Sequence, residues 1–176
     1  MSKPVSGLSE YKNTSGAKLH QDLVQKLSVK TKSTNLVSKD RLRHSTVGDY
    51  IYDEKDQKWI MTGGGHSQEA IDFMFKNNIG HKVNIEYENG VRVGNVFNHT
   101  NKQKRENNGQ SWFPKDWDTN KIKHAGEKVA LKYINQGKNK GKFFDIINGV
   151  RVGVILEEGK VMTIFPDSKN QGATKR

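Results

Sequence analysis

The phrase Asn-Gly-Val-Arg-Val-Gly occurs twice in this chain, at residues 89–94 and 148–153. Asn-Gly between two alternating runs is the strongest short-range signal for a tight β-hairpin, because the favoured two-residue turn needs φ > 0 at both central residues. Residues 83–87 and 91–97 supply the strands of the first hairpin. Residues 143–147 and the run from Val150 supply those of the second. A further turn at Glu157-Glu158-Gly159 leads into residues 161–166, so the second hairpin extends into a meander. An old duplication and two independent turns account for the repeated phrase equally well.

The rest of the chain fills in around these hairpins. Residues 47–52 read as a strand, 53–57 as a polar turn and 58–61 as a returning strand. That hairpin runs into Gly63-Gly64-Gly65-His66-Ser67, and a helix follows through Ala70, Ile71, Phe73, Met74 and Phe75. A long helix is expected from about Thr119 to Asn135, with Asp118 or Thr119 as N-cap and Ile122, Ala125, Val129, Ala130, Tyr133 and Ile134 as its apolar stripe. Near the N-terminus, Leu19, Leu23, Val24 and Leu27 lie at helical spacing. The order helix, hairpin, helix, hairpin, polar loop, helix, meander predicts an α+β fold with helices packed on antiparallel sheets. Residues 1–40 read as a polar leader with one helical segment, 41–168 as the folded domain and 169–176 as a polar tail, with fraying expected from Asp167 onward.

Charge narrows the partners. The 176 residues carry 30 Lys and Arg against 19 Asp and Glu, a net charge of +11, which favours polyanions such as nucleic acid. Anionic membranes would also attract it, but no apolar stretch approaches the ~20 residues of a membrane span and no secretory signal core is present. With no cysteine, disulfides and thiolate metal sites are excluded.

Several constellations are able to carry chemistry. A glycine turn opening a helix offers free N–H groups to an anion, or is an ordinary strand-to-helix turn. His44 and His66 flank the first hairpin, so its returning strands bring them together; one acid and one base on opposite sides of a phosphodiester is the geometry of general acid–base cleavage. The plain alternative is two surface histidines. His81 and His99 flank the second hairpin, and with Asn101 they suggest a metal-dependent His-Asn-His nuclease. That reading ranks lower, because no metal cluster or zinc-type spacing accompanies it. The basic run 98–105, with Lys102 and Lys104, reads either as a phosphate clamp that neutralises a transition-state oxyanion or as a solvated charge run. Trp112, Phe113 and Trp117 either stack on bases or enter the core, where at least two of them are expected. Period-2 alternation puts Thr163 and Phe165 on one face, as a hydroxyl and a ring able to read and stack a pyrimidine, or with Phe165 simply closing the core. His20 and His124 read as structural or solvated.

Taken in order, Gly64-Gly65-His66, Ser111-Trp112-Phe113-Pro114-Lys115-Asp116-Trp117, Asn148-Gly149-Val150-Arg151-Val152-Gly153 and Thr163-Ile164-Phe165-Pro166-Asp167 resemble the bacterial EndoU nuclease family over about residues 40–168. The wider superfamily includes eukaryotic poly(U)-specific endoribonucleases and the coronavirus uridylate-specific endoribonuclease. The resemblance implies an EndoU-like fold and a His, His, Lys triad whose first His begins a strand and whose second follows a glycine pair before a helix. That pattern falls on His44 and His66, and the Lys on Lys104 or Lys102, with Lys104 favoured. A base-reading hydroxyl falls near Ser111, and a Thr-x-Tyr-Pro pattern on Thr163, Phe165 and Pro166. Phe for Tyr keeps stacking but loses a phenolic hydroxyl, which puts strict uridine selectivity in doubt.

By that analogy His66 takes the 2′-hydroxyl proton, His44 protonates the leaving 5′-oxygen and a lysine stabilises the phosphorane. The products are a 2′,3′-cyclic phosphate and a 5′-hydroxyl, the cleavage of a lyase, and DNA survives. No cofactor is implied and the chemistry requires no metal, although some eukaryotic relatives depend on manganese. Members often form the C-terminal toxin domain of polymorphic or contact-dependent inhibition toxins. This implies a secreted domain delivered to the target-cell cytoplasm, an RNA partner such as tRNA or other single-stranded RNA, and a cognate immunity protein, acidic enough to plug a basic cleft. The competing readings are a non-catalytic basic RNA-binding module and the metal-dependent His-Asn-His nuclease.

Overall fold

Ser38 caps the first described helix, α1 (Lys39–Thr46), by accepting a hydrogen bond from the Arg41 amide at 3.2 Å. The computed structural model describes Lys18 and residues 35–176, so the helical segment expected around Leu19–Leu27 lies outside the described residues. Leu42 is the one large apolar residue of α1. The face it buries is instead Ser45 and Thr46, whose hydroxyls donate to the carbonyls of Arg41 and Leu42. Ser45 Oγ also accepts from the Ile164 amide at 3.0 Å. The helix thus docks through polar groups that all find partners, and apolar periodicity carries no signal for it. His44, which the resemblance places at the start of a strand, sits in the last turn of this helix.

The first hairpin forms as expected, from β1 (Asp49–Asp53) and β2 (Lys58–Gly63). Helix α2 (Gln68–Lys76) follows, then β3 (His81–Glu86) and β4 (Arg92–Val96). The basic run that reads as a loop contains a short helix, α3 (Lys102–Glu106), and the aromatic segment after it adds β5 (Gln110–Trp112) to make the antiparallel sheet β3-β4-β5. Helix α4 (Thr119–Ile134) is capped by Asp118, which accepts from the Lys121 amide at 2.7 Å. The meander β6 (Gly141–Ile147), β7 (Val150–Glu157) and β8 (Lys160–Pro166) completes the α+β arrangement.

Two cores hold these pieces. In the larger, Ile122, Ala125, Val129 and Ala130 of α4 pack on Val150, Val152, Val154 and Leu156, alternate residues of β7. Phe113 and Trp117 join it as a stacked pair, with ring centroids 5.2 Å apart. The smaller core gathers Met61, Met74, Ile79, Val96 and Trp112. All three aromatics of the segment 112–117 are therefore buried and none is free to stack on a base. The two Asn-Gly turns meet: Asn148 and Gly149 hold φ of 49° and 77°, and the Asn89 side-chain amide donates to the Gly149 carbonyl at 3.0 Å. The end of the chain, expected to fray, packs against this junction. Gln171 is buried and accepts from Asn89 Nδ2, and the Thr174 carbonyl accepts from the Glu88 amide.

One splice positions everything that follows. The amides of Gly65, His66 and Ser67 donate in succession to the carbonyls of His44, Ser45 and Thr46, at 2.9, 2.7 and 3.1 Å. A helix end leaves its last carbonyls without partners, and here the glycine turn supplies them. The N–H groups of Gly65, His66 and Ser67 are therefore engaged with backbone carbonyls and are not free to cradle a phosphate. Gly64 and Gly65 take φ of 64° and 69°. A Cβ on Gly64 would lie 1.8 Å from the His44 carbonyl oxygen, so no other residue fits. The buried Gln110 amide locks the turn from the other side, donating to the carbonyls of Gly64 and Gly65 at 3.0 and 2.7 Å.

Gly64→Ala should prevent folding or lower Tm by well over 10 °C, since backbone strain of about 1–2 kcal/mol adds to a backbone clash. Gly149→Ala, at similar φ but with open space around it, should cost only about 1 kcal/mol. Thermal denaturation of the two variants checks the contrast.

Candidate active site

The ends of α1 and β2, the start of α3 and the outer face of β8 enclose a cleft of about 370 Å³. His44, His66, His99, Lys104, Thr163 and Phe165 line it. Each of the first two histidines is held by its Nδ1. His44 Nδ1 donates to Asp49 Oδ2 at 2.6 Å, and Asp49 also accepts from Arg43 at 2.9 Å. Burial pushes the Asp49 carboxyl up, but the hydrogen bond from His44 and the charges of His44 and Arg43 outweigh it and hold the group below the usual carboxylate value. An ionised Asp49 only accepts, so the proton of neutral His44 is fixed on Nδ1. His44 Nε2 lies 3.2 Å from the Thr163 hydroxyl.

His66 Nδ1 donates to the Ser111 carbonyl at 2.7 Å. A carbonyl only accepts, so the ring proton of neutral His66 is on Nδ1 and Nε2 keeps its lone pair. His66 is buried, and its pKa is pushed well below the ordinary histidine value by burial first and then by the Lys104 charge, against the Ser111 bond. The ring is therefore neutral at physiological pH. Two imidazoles, each fixed through Nδ1, thus share one cleft, one paired with a carboxylate and the other kept neutral by burial. The sequence gives no direct sign of Asp49 as an orienting group; a carboxylate just beyond Gly48, behind the Arg43-His44 pair, is the one available hint.

The two lysines separate. Asn101 caps α3 by accepting from the amides of Gln103 and Lys104, which turns Lys104 into the cleft and Lys102 outward. Lys102 is 73% exposed, with its ammonium 4.0 Å from Glu106. Burial lowers the Lys104 pKa to about 8, so its ammonium is little hydrated yet still mostly charged at neutral pH.

Ser111 reaches the site through its backbone: its hydroxyl donates to the Pro166 carbonyl at 2.7 Å. Thr163 and Phe165 share the cleft face of β8, as period-2 alternation predicts. The Phe165 ring stands edge-on to Phe144, packs over Gly153 and lies 5.9 Å from the His66 ring. Lys142 Nζ sits 5.7 Å above that ring, a neighbour that sequence reading did not single out. His81 and His99 do not converge. His81 faces a separate hollow beside Phe75 and Ile79, and among the described residues no group of three or more His, Asp or Glu is placed to hold a metal. No helix among the described residues is long and apolar enough to cross a membrane.

Residues 40–168 match the family described as bacterial EndoU nuclease, and the α+β architecture is consistent with an EndoU-like domain. No curated protein and no solved structure matches the chain.

His66 and His99 are both held below their ordinary pKa, His99 at about 4. The unfolded chain therefore binds protons first as pH falls below about 6.5. The contribution of these two rings is fully present above that value and should be lost as pH drops toward 4, read as a lower Tm at pH 5 than at pH 7.5. In Lys104→Met, the His66 titration followed by NMR should move up toward the ordinary value, because one charge opposing its protonation is gone.

Proposed function

We propose that this chain, which belongs to the bacterial EndoU nuclease family, is a metal-independent endoribonuclease that uses the RNA's own 2′-hydroxyl as nucleophile. The observation that carries this reading is the pinning of both imidazoles by Nδ1, on Asp49 and on the Ser111 carbonyl. It leaves two Nε2 atoms for proton transfer in one cleft with Lys104.

His66, neutral and buried, takes the proton from the 2′-hydroxyl through Nε2. The resulting oxygen attacks phosphorus in line, and the 5′-oxygen leaves with a proton from His44 Nε2. Asp49 stabilises the charged His44 before transfer. Lys104, poorly solvated in the cleft, offsets the charge that builds on the non-bridging oxygens. The O2′–P bond forms as the P–O5′ bond breaks, giving a 2′,3′-cyclic phosphate and a 5′-hydroxyl. Phe165 stacks the base 5′ to the cut and Thr163 reads its edge. Lacking a phenolic hydroxyl, Phe165 makes selectivity for uridine less than strict.

The +11 charge draws RNA to the cleft and makes binding salt-dependent. In the cell we assign the chain the role of an antibacterial toxin domain, secreted and delivered to the target-cell cytoplasm, and kept inactive in the producing cell by an acidic immunity protein.

Labelled RNA and DNA incubated with and without EDTA provide the test. RNA cleavage that survives EDTA, leaves 2′,3′-cyclic phosphate ends and stops at a 2′-deoxy linkage is the expected result. Binding without cleavage would favour a non-catalytic RNA-binding module. DNA cleavage that EDTA abolishes would favour the His-Asn-His alternative. His44→Ala and His66→Ala should each lose at least about 10³-fold in rate with the fold intact. Lys104→Ala should lose about 10²-fold, while Lys102→Ala stays within about threefold. Expression of the wild-type chain in a bacterial host should arrest growth, and His66→Ala should relieve the arrest.

A further inference from the structure

A third histidine in the cleft is held as firmly as the first two. The chain on either side of His99 is stitched to Met61: the Met61 amide donates to the Asn98 carbonyl and the Met61 carbonyl accepts from the Thr100 amide, at 2.8 and 3.0 Å. Arg105 donates to the His99 carbonyl at 2.8 Å. The ring itself is 2% exposed, and its Nδ1 accepts from the Asn101 amide at 2.9 Å. An amide only donates, so the neutral ring carries its proton on Nε2. Burial and the charges of Lys104 and Arg105 keep the ring neutral by lowering its pKa to about 4.

That Nε2–H is a buried donor with no partner among the described residues. Arg92 Nε, Gln110 Oε1 and Trp112 Nε1 are likewise buried without a partner, but of these four residues His99 alone lines the cleft, so its unmet donor is the one that a bound molecule could satisfy. His99 lines the same cleft as Lys104 and His66, and its acidic pKa registers the Lys104 ammonium close by. The strongest acceptors that a phosphodiester brings into the cleft are its two non-bridging oxygens.

We propose that His99 Nε2–H is a fixed, uncharged hydrogen-bond donor to one non-bridging oxygen of the scissile phosphate, acting beside Lys104. It moves no proton. It contributes a directional contact that selects one of the two oxygens, which a point charge such as an ammonium does less sharply. The inference rests on the endoribonuclease reading above.

The two conservative replacements separate this role from a structural one, because Gln places an amide donor near the position of Nε2 while Asn mimics Nδ1. Single-turnover cleavage is measured for wild type, His99→Gln and His99→Asn on RNA carrying an Rp or Sp phosphorothioate at the cut. In wild type, one diastereomer should react more slowly than the other. His99→Asn, which keeps the acceptor for Asn101, should lose about 10²–10³-fold in rate with Tm unchanged, and with it the difference between diastereomers. His99→Gln should stay within about tenfold of wild type. Wild-type rates in His99→Asn, or an unchanged diastereomer difference, would overturn the proposal.

Should His99→Asn fail to fold, wild-type protein titrated with a strand bearing a 2′-deoxy linkage at the cut decides the matter by NMR. A downfield shift of the His99 Nε2–H supports the contact, and no shift refutes it. If the wild type cuts no RNA, the endoribonuclease reading fails, while the titration still reports whether His99 meets a phosphate.

Discussion

Three backbone hydrogen bonds, from Gly65, His66 and Ser67 to the carbonyls of His44, Ser45 and Thr46, bear the arrangement of this molecule. They complete the open end of α1, fix the start of α2 and set the two pinned histidines in adjacent backbone layers. Each such bond contributes about 1 kcal/mol net, so their weight in the total stability is modest. Their effect lies in geometry: they specify how far apart two side chains on different elements stand. The positive φ values of Gly64 and Gly65 and the Gln110 amide behind them follow from the same requirement.

Electrostatics inside the cleft oppose those outside. The chain as a whole carries an excess of positive charge, whereas the cleft contains one desolvated ammonium and two imidazoles that burial keeps neutral. Repulsion among three cations is thereby avoided before substrate enters. His44 differs from these two rings in its hydrogen bond to the ionised Asp49. In the proposed reaction a dianionic phosphorane would place negative charge beside the Lys104 ammonium, so the cleft would suit that transition state better than its unoccupied condition.

What could be read from the sequence was local and periodic. The two hairpins, the apolar stripe and Asp118 cap of α4, and the shared face of Thr163 and Phe165 each lie where expected, although φ is positive at both turn residues only in Asn148-Gly149; in the first turn Gly90 alone takes it. Helix α1 was invisible because the face it buries is Ser45 and Thr46, satisfied by hydrogen bonds to α1 carbonyls and to Ile164. Strand β5 was hidden in a segment whose aromatic content reads as a binding surface, yet Trp112 and Phe113 divide between two cores. The tail from Asp167 looked unstructured for want of apolar residues; Gln171 orders it through side-chain hydrogen bonds, which composition does not show. Pairing of the histidines was legible because a hairpin must bring its ends together. Asp49 and the register of the two lysines were not, since they depend on the end of an unseen helix and on an Asn101 cap within a run that reads as loop.

The absence of room beside Gly64 divides the cleft into a half that sequence change cannot touch and a half that it can. A side chain there would meet the His44 carbonyl at 1.8 Å, so the spacing of His44 and His66 is closed to gradual adjustment. The opposite wall, with Phe165 and the exposed Lys142 over its ring, carries no comparable backbone constraint. Descendants of this sequence are therefore free to change the Phe165 wall while inheriting an unaltered pair of histidines. In a lineage under pressure from changing targets or inhibitors, diversity should accumulate along β6 and β8 and stop at the glycine turn.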